Sequence, residues 1–147
     1  MTGARLSSEM IHASTVASEG RAVVISGPSG SGKSDLALRL LDRGFTLVSD
    51  DQTLIRRENG RLLASPPPTI AGKLEVRGIG IVEMEHLEDV PVGLFVELTG
   101  EFERMPEEDR ERQLLGLALP LVSLDASAAS APSKVALALD RMGLKFR

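Results

Sequence analysis

The sequence contains no cysteine, no tryptophan and no tyrosine, and only four phenylalanines among 147 residues. Without cysteine there are no disulfides, no thiolate zinc sites and no cysteine nucleophile, and the composition fits a reducing compartment. With so few rings, base-stacking platforms for single-stranded nucleic acid are nearly absent, and the core must be aliphatic. Excess positive charge is missing too. Seventeen basic against 21 acidic residues leave a net charge of −4, which disfavours DNA, RNA or an anionic membrane as the main partner. No apolar run reaches the ~18 residues of a spanning helix, and the N-terminal twenty residues lack the apolar stretch of a secretory signal. The expectation is a cytoplasmic protein with no membrane and no nucleic-acid role.

What is present is ordinary globular material: 42% hydrophobic and 26% charged residues, enough for one core and a single domain over residues 1–147. The local patterns predict an α/β class with a strand-rich middle. Residues 10–17 alternate weakly as one strand, Glu19-Gly20 turns the chain, and residues 21–26 (RAVVIS) read as a buried strand. A helix follows from residue 35, with Leu36, Leu40 and Leu41 on one face and Gly44 at its C-terminal cap. Residues 45–49 form a second strand ending in Asp50-Asp51. Asn59-Gly60 between two strand-like runs signals a hairpin, and Pro66, Pro67 and Pro68 stop its second strand. Residues 74–85 alternate and carry two glycines, which predicts a strand with a tight turn or bulge. Residues 93–98 read as a further buried strand. Residues 101–112 hold nine charges in twelve positions, expected as an exposed loop. An extended segment over 117–124 is broken by Pro120, residues 126–132 are a loop, and a closing helix over 133–142 starts with Ser133 at or near its N-cap.

Between the buried strand and the first helix lies GPSGSGKS, residues 27–34. Gly27, Gly32, Lys33 and Ser34 satisfy G-x-x-x-x-G-K-[ST], with Pro28, Ser29, Gly30 and Ser31 between them. In a chain of this composition chance produces such a match roughly 0.5% of the time, so a phosphate-binding loop is favoured over a coincidental glycine turn. The mechanism explains the residue types. Gly30 and Gly32 let backbone N–H groups turn inward around phosphate oxygens, and the helix N-terminus adds partial positive charge. Lys33 neutralises the outer phosphates, and the Ser34 hydroxyl can ligate Mg2+.

Asp50 and Asp51 fall soon after this loop at the end of a strand expected to neighbour the loop strand, and in an open parallel sheet such a neighbour ends beside the loop, where ligands bind. One carboxylate can order a metal or its waters and the other can take a proton from an incoming hydroxyl. A plain turn also accommodates Asp-Asp. Glu97 in LFVEL keeps a more distant acid in play. Of the two histidines, His12 precedes the loop strand and His86 lies in a polar stretch, and neither spacing makes a zinc site.

GPSGSGKSD, then LVSDD, then LEVRGIGIVE (residues 74–83) together resemble the catalytic domain of the HPr kinase/phosphorylase family, over roughly residues 10–140. The third motif is the most specific, because P-loop proteins in general do not carry it. The resemblance implies a bacterial enzyme that uses ATP to phosphorylate a serine of HPr, the phosphocarrier of the sugar phosphotransferase system. It implies a core like the nucleotide-binding part of phosphoenolpyruvate carboxykinase, and a homo-oligomer, hexameric in full-length members. Those members carry an additional N-terminal domain; its absence here would make this the short alphaproteobacterial form. Carried over residue by residue, residues 27–34 hold the ATP phosphates, with Lys33 catalytic and Ser34 on Mg2+. Asp51 is the proton acceptor in phosphorylation and donor in the reverse reaction, with Asp50 supporting it. Glu75 is the second Mg2+ ligand, and residues 74–83 serve catalysis in both directions. His12 matches the family's histidine before the loop. Arg104 matches a catalytic arginine in the charged loop, with Arg110 as competitor. Lys134 stands where the family has a proline- and arginine-rich motif tied to phosphorolysis, a pattern this chain departs from. Two other functions remain: a small-molecule kinase using Arg104, Arg110 and Arg112 around its acceptor, or a non-catalytic nucleotide-responsive module.

Overall fold

The computed structural model describes residues 7–99 and 110–146. Eleven strands, a 3-10 turn and two helices follow in chain order. They are β1 (Ser8–Ile11), β2 (Ala13–Ser18), β3 (Arg21–Ser26), α1 (Lys33–Leu41), β4 (Thr46–Ser49), β5 (Thr53–Glu58), β6 (Arg61–Ser65), the 3-10 turn Pro68–Ile70, β7 (Lys73–Val76), β8 (Gly80–Glu83), β9 (Val90–Leu98), β10 (Glu111–Leu114), β11 (Leu117–Leu124) and α2 (Ala131–Met142).

Nine strands form one mixed sheet along the path β1-β5-β6-β9-β3-β2-β4, with β11 also on β9 and β10 on β11. β3 shows why it lies at the centre. Its residues alternate between two cores: Val23 and Ile25 face one with Leu36, Leu40, Val135 and Leu139 of the helices. Ala22 and Val24 face the other, with Ile55, Leu62 and Phe95. A strand buried on both faces reads as a continuous β-branched run, as residues 21–26 do. Leu36 and Leu40 are fully buried and Leu41 packs beside them, so the leucine face of α1 docks on the sheet as its spacing predicts. Both cores are aliphatic apart from Phe45 and Phe95.

The Asn59-Gly60 hairpin forms as expected between β5 and β6, both residues having left-handed φ (52° and 74°) that suit a two-residue turn matched to strand twist. The alternating stretch after Pro68 is the β7–β8 hairpin, a separate two-stranded sheet.

Several expectations are corrected. Residues 10–17 are not one strand: the chain breaks at His12, with β1 pairing β5 and β2 pairing β3 and β4. Non-local partners, not the local alternation, set that break. β4 is not the immediate neighbour of β3, because β2 lies antiparallel between them. Two reversals still leave β4 pointing the same way as β3. Pro120 does not interrupt β11. On the β10 side bonding runs on past it, Leu121 N donating to Arg110 O at 3.0 Å, and pairing with β9 begins only at Leu121–Phe95, so its missing N–H interrupts neither ladder. Glu111 and Arg112, expected in a loop, belong to β10. α2 begins earlier than Ser133, with Ser130 at the N-cap position and Pro132 in the first turn, where a missing N–H and fixed φ suit a helix start. Among the described residues no helix is long and apolar enough to cross a membrane.

Candidate active site

β3, β4, β9 and β11 all run in one direction, so their C-terminal ends share one edge of the sheet, joined there by the N-terminal end of antiparallel β2. That edge collects Gly27 after β3, Asp50 after β4, Asp125 after β11 and His12 before β2. A cleft of about 530 Å3 opens over it, lined among others by His12, Gly32, Lys33, Ser34, Asp51 and Glu75.

The glycine-rich loop, residues 27–32, feeds directly into α1. Gly32 occupies the N-cap position at φ 97°, with no side-chain cap, and its carbonyl takes the first helical bond from Leu36 N at 2.9 Å. An added Cβ there would stand 3.2 Å from the Ala126 Cβ, so glycine meets both a left-handed backbone and a close approach of the loop after β11. The first amides of α1 accordingly face the cleft without intrahelical partners, the ordinary condition of a helix N-terminus. Lys33 is buried, and its Nζ donates to Gly27 O at 2.9 Å and Pro28 O at 3.2 Å. Two of its three donors thus stitch the loop to the helix.

Asp50 is buried and accepts three hydrogen bonds. Its Oδ1 accepts from Ser34 Oγ at 2.6 Å and Ser14 Oγ at 2.8 Å, and its Oδ2 accepts from the Glu75 amide at 3.1 Å. These contacts tie the glycine loop, β2 and the β7–β8 hairpin to one carboxylate. Because the Ser34 hydroxyl donates to Asp50, its lone pairs are the part left to face a cation. Asp51 is different. It is the middle residue of a three-residue turn closed by Gln52 N to Asp50 O at 2.7 Å, with φ 67°, a turn that is rare and strained for a residue with a side chain. Its carboxylate projects outward and Oδ1 meets His12 Nε2 at 2.7 Å. Side-chain exposures of 49% and 64% make this pair a weak stabiliser, so its effect is on orientation.

Across the cleft, Asp125 accepts from the hydroxyl and amide of Ser127, and these bonds hold its carboxyl below the usual carboxylate value. Arg39 of α1 clamps the same loop through the Ala126 and Ala128 carbonyls. Among the described residues no group of three or more His, Asp or Glu is placed to hold a metal ion. Glu75 lines the cleft, but its recorded link to the acidic pair is through the backbone. Arg104 lies outside the described residues. Arg110 instead contacts Ser123 and Glu97, and Arg112 stacks over Phe95 and reaches Ser26 Oγ. Ser14, which touches both aspartates' residues, carries no sequence signal beyond being a serine in an apolar strand.

The chain matches the family described as HPr serine kinase C-terminal domain over residues 4–139. A Chlorobium chlorochromatii protein named HPr kinase/phosphorylase is 36% identical over 130 residues, 79% of this chain and 39% of that protein. A Ralstonia nicotianae protein of the same name is 34% identical over 121 residues, 74% of this chain and 37% of its own length. A Clostridium botulinum relative is 44% identical over 77 residues, 52% of this chain and 25% of that protein. The chain therefore spans well under half the length of these curated relatives. Among solved structures, one titled as the Hpr(Ser) kinase/phosphatase from Coxiella burnetii superposes with a TM-score of 0.77 at 27% identity, covering 90% of this chain and 94% of that one. A family match over residues 4–139, two relatives at 34% and 36% identity over about three quarters of the chain and a shared fold have one common explanation: this chain belongs to the HPr serine kinase C-terminal domain family.

Proposed function

We propose that the chain is an ATP-dependent protein-serine kinase of the HPr kinase/phosphorylase type, built on a P-loop core like that of phosphoenolpyruvate carboxykinase and acting on an HPr-type phosphocarrier. The observation that carries this is the placement of Asp51, outward-facing and oriented by His12, over the same cleft as Gly32, Lys33 and Ser34.

The residues present fit a nucleotide. Unpaired helix amides and Lys33 suit the phosphates, and the cleft volume accommodates a ligand of that size. Ser34, through its hydroxyl, and Glu75, which lines the same cleft, are the residues that would hold Mg2+. When bound, Mg2+ neutralises charge on the phosphate chain. The chain's own residues do the rest. Residues 27–32 and the α1 N-terminus bind the phosphate oxygens. Asp50 fixes the Ser34 hydroxyl so that its lone pairs point outward. With Oδ1 of Asp51 taken by His12, its Oδ2 receives the proton of the acceptor serine as the serine oxygen bonds to the γ-phosphorus of ATP, the bond from that phosphorus to the bridging oxygen breaks and ADP leaves. In reverse, inorganic phosphate attacks the phosphoserine phosphorus to form pyrophosphate, and Asp51 gives its proton to the leaving serine oxygen.

The test is mass spectrometry of an HPr-type protein after incubation with this chain and Mg-ATP. A gain of one phosphoryl group on a serine, slowed about 10²–10⁴-fold but still measurable with Asp51→Asn while nucleotide still binds, is expected. A phosphoryl group appearing only on a small molecule, or nucleotide binding without transfer, overturns it.

A further inference from the structure

The two neighbouring aspartates have opposite fates, and one side chain touches both. Ser14 is fully buried in β2. Its hydroxyl donates to Asp50 Oδ1 at 2.8 Å and accepts from the Asp51 amide at 3.1 Å. A hydroxyl has one proton to give, and here it goes to the inward carboxylate, while a lone pair takes the amide of the outward one. That amide belongs to the residue with φ 67° at the centre of the three-residue turn. Strained backbone of this kind persists only where its surroundings over-determine it. The turn's own bond runs from Gln52 to Asp50 and leaves the Asp51 N–H unused, so Ser14 supplies the tie at that point.

We propose that Ser14 is a positioning residue, whose single hydroxyl locks the strained Asp51 turn against Asp50 and so keeps Asp51 aimed at the acceptor. This rests on Asp51 acting as proton acceptor. Ser14 does not touch substrate, nucleotide or the Asp51 carboxylate; it acts through the Asp51 backbone. His12 orients the same carboxylate from the side-chain end, two residues before Ser14 on the same segment. The start of β2 thus holds Asp51 at both ends.

A double-mutant cycle with the full chain tests it. Ser14→Ala is expected to lower kcat for transfer to the protein serine about tenfold or more, with KM for ATP within about twofold, because alignment and not nucleotide binding is lost. In the Asp51→Asn background, where there is no carboxylate left to aim, Ser14→Ala is expected to cost less than about threefold. Equal losses in both backgrounds overturn the proposal, since a merely structural serine acts whatever occupies position 51. Ser14→Thr keeps the hydroxyl and serves as the second variant, with kcat expected within about threefold of wild type. A threonine variant that binds Mg-ATP yet loses as much transfer as the alanine variant overturns the assignment to the hydroxyl. Absence of serine transfer by the wild type overturns the kinase function, and the role of Ser14 with it; wild-type transfer with additive losses overturns the role of Ser14 alone.

Discussion

His12 and Asp51 stand 39 positions apart in the chain and meet at 2.7 Å between Nε2 and Oδ1. The pairing is made by topology: His12 ends the gap before β2, Asp51 follows β4, and β2 and β4 are adjacent antiparallel strands. Because both side chains are well exposed, the pair adds little to stability. His12→Ala should therefore leave thermal unfolding nearly unchanged while lowering kcat for serine transfer about tenfold, through loss of carboxylate alignment. Steady-state kinetics beside a melting curve check both halves.

Lys33 is buried and spends two donors on the carbonyls of its own loop. In Lys33→Met a chain of similar length replaces a buried cation, so the fold should persist. Nucleotide affinity should fall about a hundredfold, near 2.7 kcal/mol. Calorimetric titration with Mg-ATP measures it.

Asp50 accepts from Ser14, Ser34 and the Glu75 amide at once. Asp50→Ala leaves all three donors without their acceptor, at a cost of about 3 kcal/mol or more in unfolding free energy. Urea denaturation gives the value. The gain in nucleotide affinity on adding Mg2+ should shrink in the same variant, because Ser34 is no longer held with its lone pairs outward.

Leu40 is fully buried between α1 and the sheet. Leu40→Ala should cost about 2–5 kcal/mol, with the spread set by how far α2 can settle into the space. The same urea titration applies.

The parts of the site that could be read from the sequence are those whose signal is local. GPSGSGKS between a β-branched run and a leucine-faced helix specifies its loop within eight residues. Asp50-Asp51 announces itself as a strand end. Ser14 and the break at His12 could not be read this way, because their partners lie 36 to 39 positions along the chain and nothing in SEMIHASTVAS marks them. The insertion of β2 between β3 and β4 was hidden for the same reason: local patterns give strands, and strand order is decided by which faces remain to be covered. Pro120 misled in the other direction. A missing N–H costs a ladder bond only where a partner strand faces it, and at Pro120 the β10 bonding continues through Leu121 while the β9 pairing has yet to begin.

The β2–β3 hairpin pairs Ala13 with Ser26 and Ser18 with Arg21 across Glu19-Gly20, so its open end sets His12 beside Gly27. The separation between that histidine and the first loop glycine is therefore a ruler folded in half. Excising a single residue from either arm would slide one strand along the other and swap inward for outward side chains; lengthening both arms by matching amounts would instead carry the far bend away and leave the cleft end untouched.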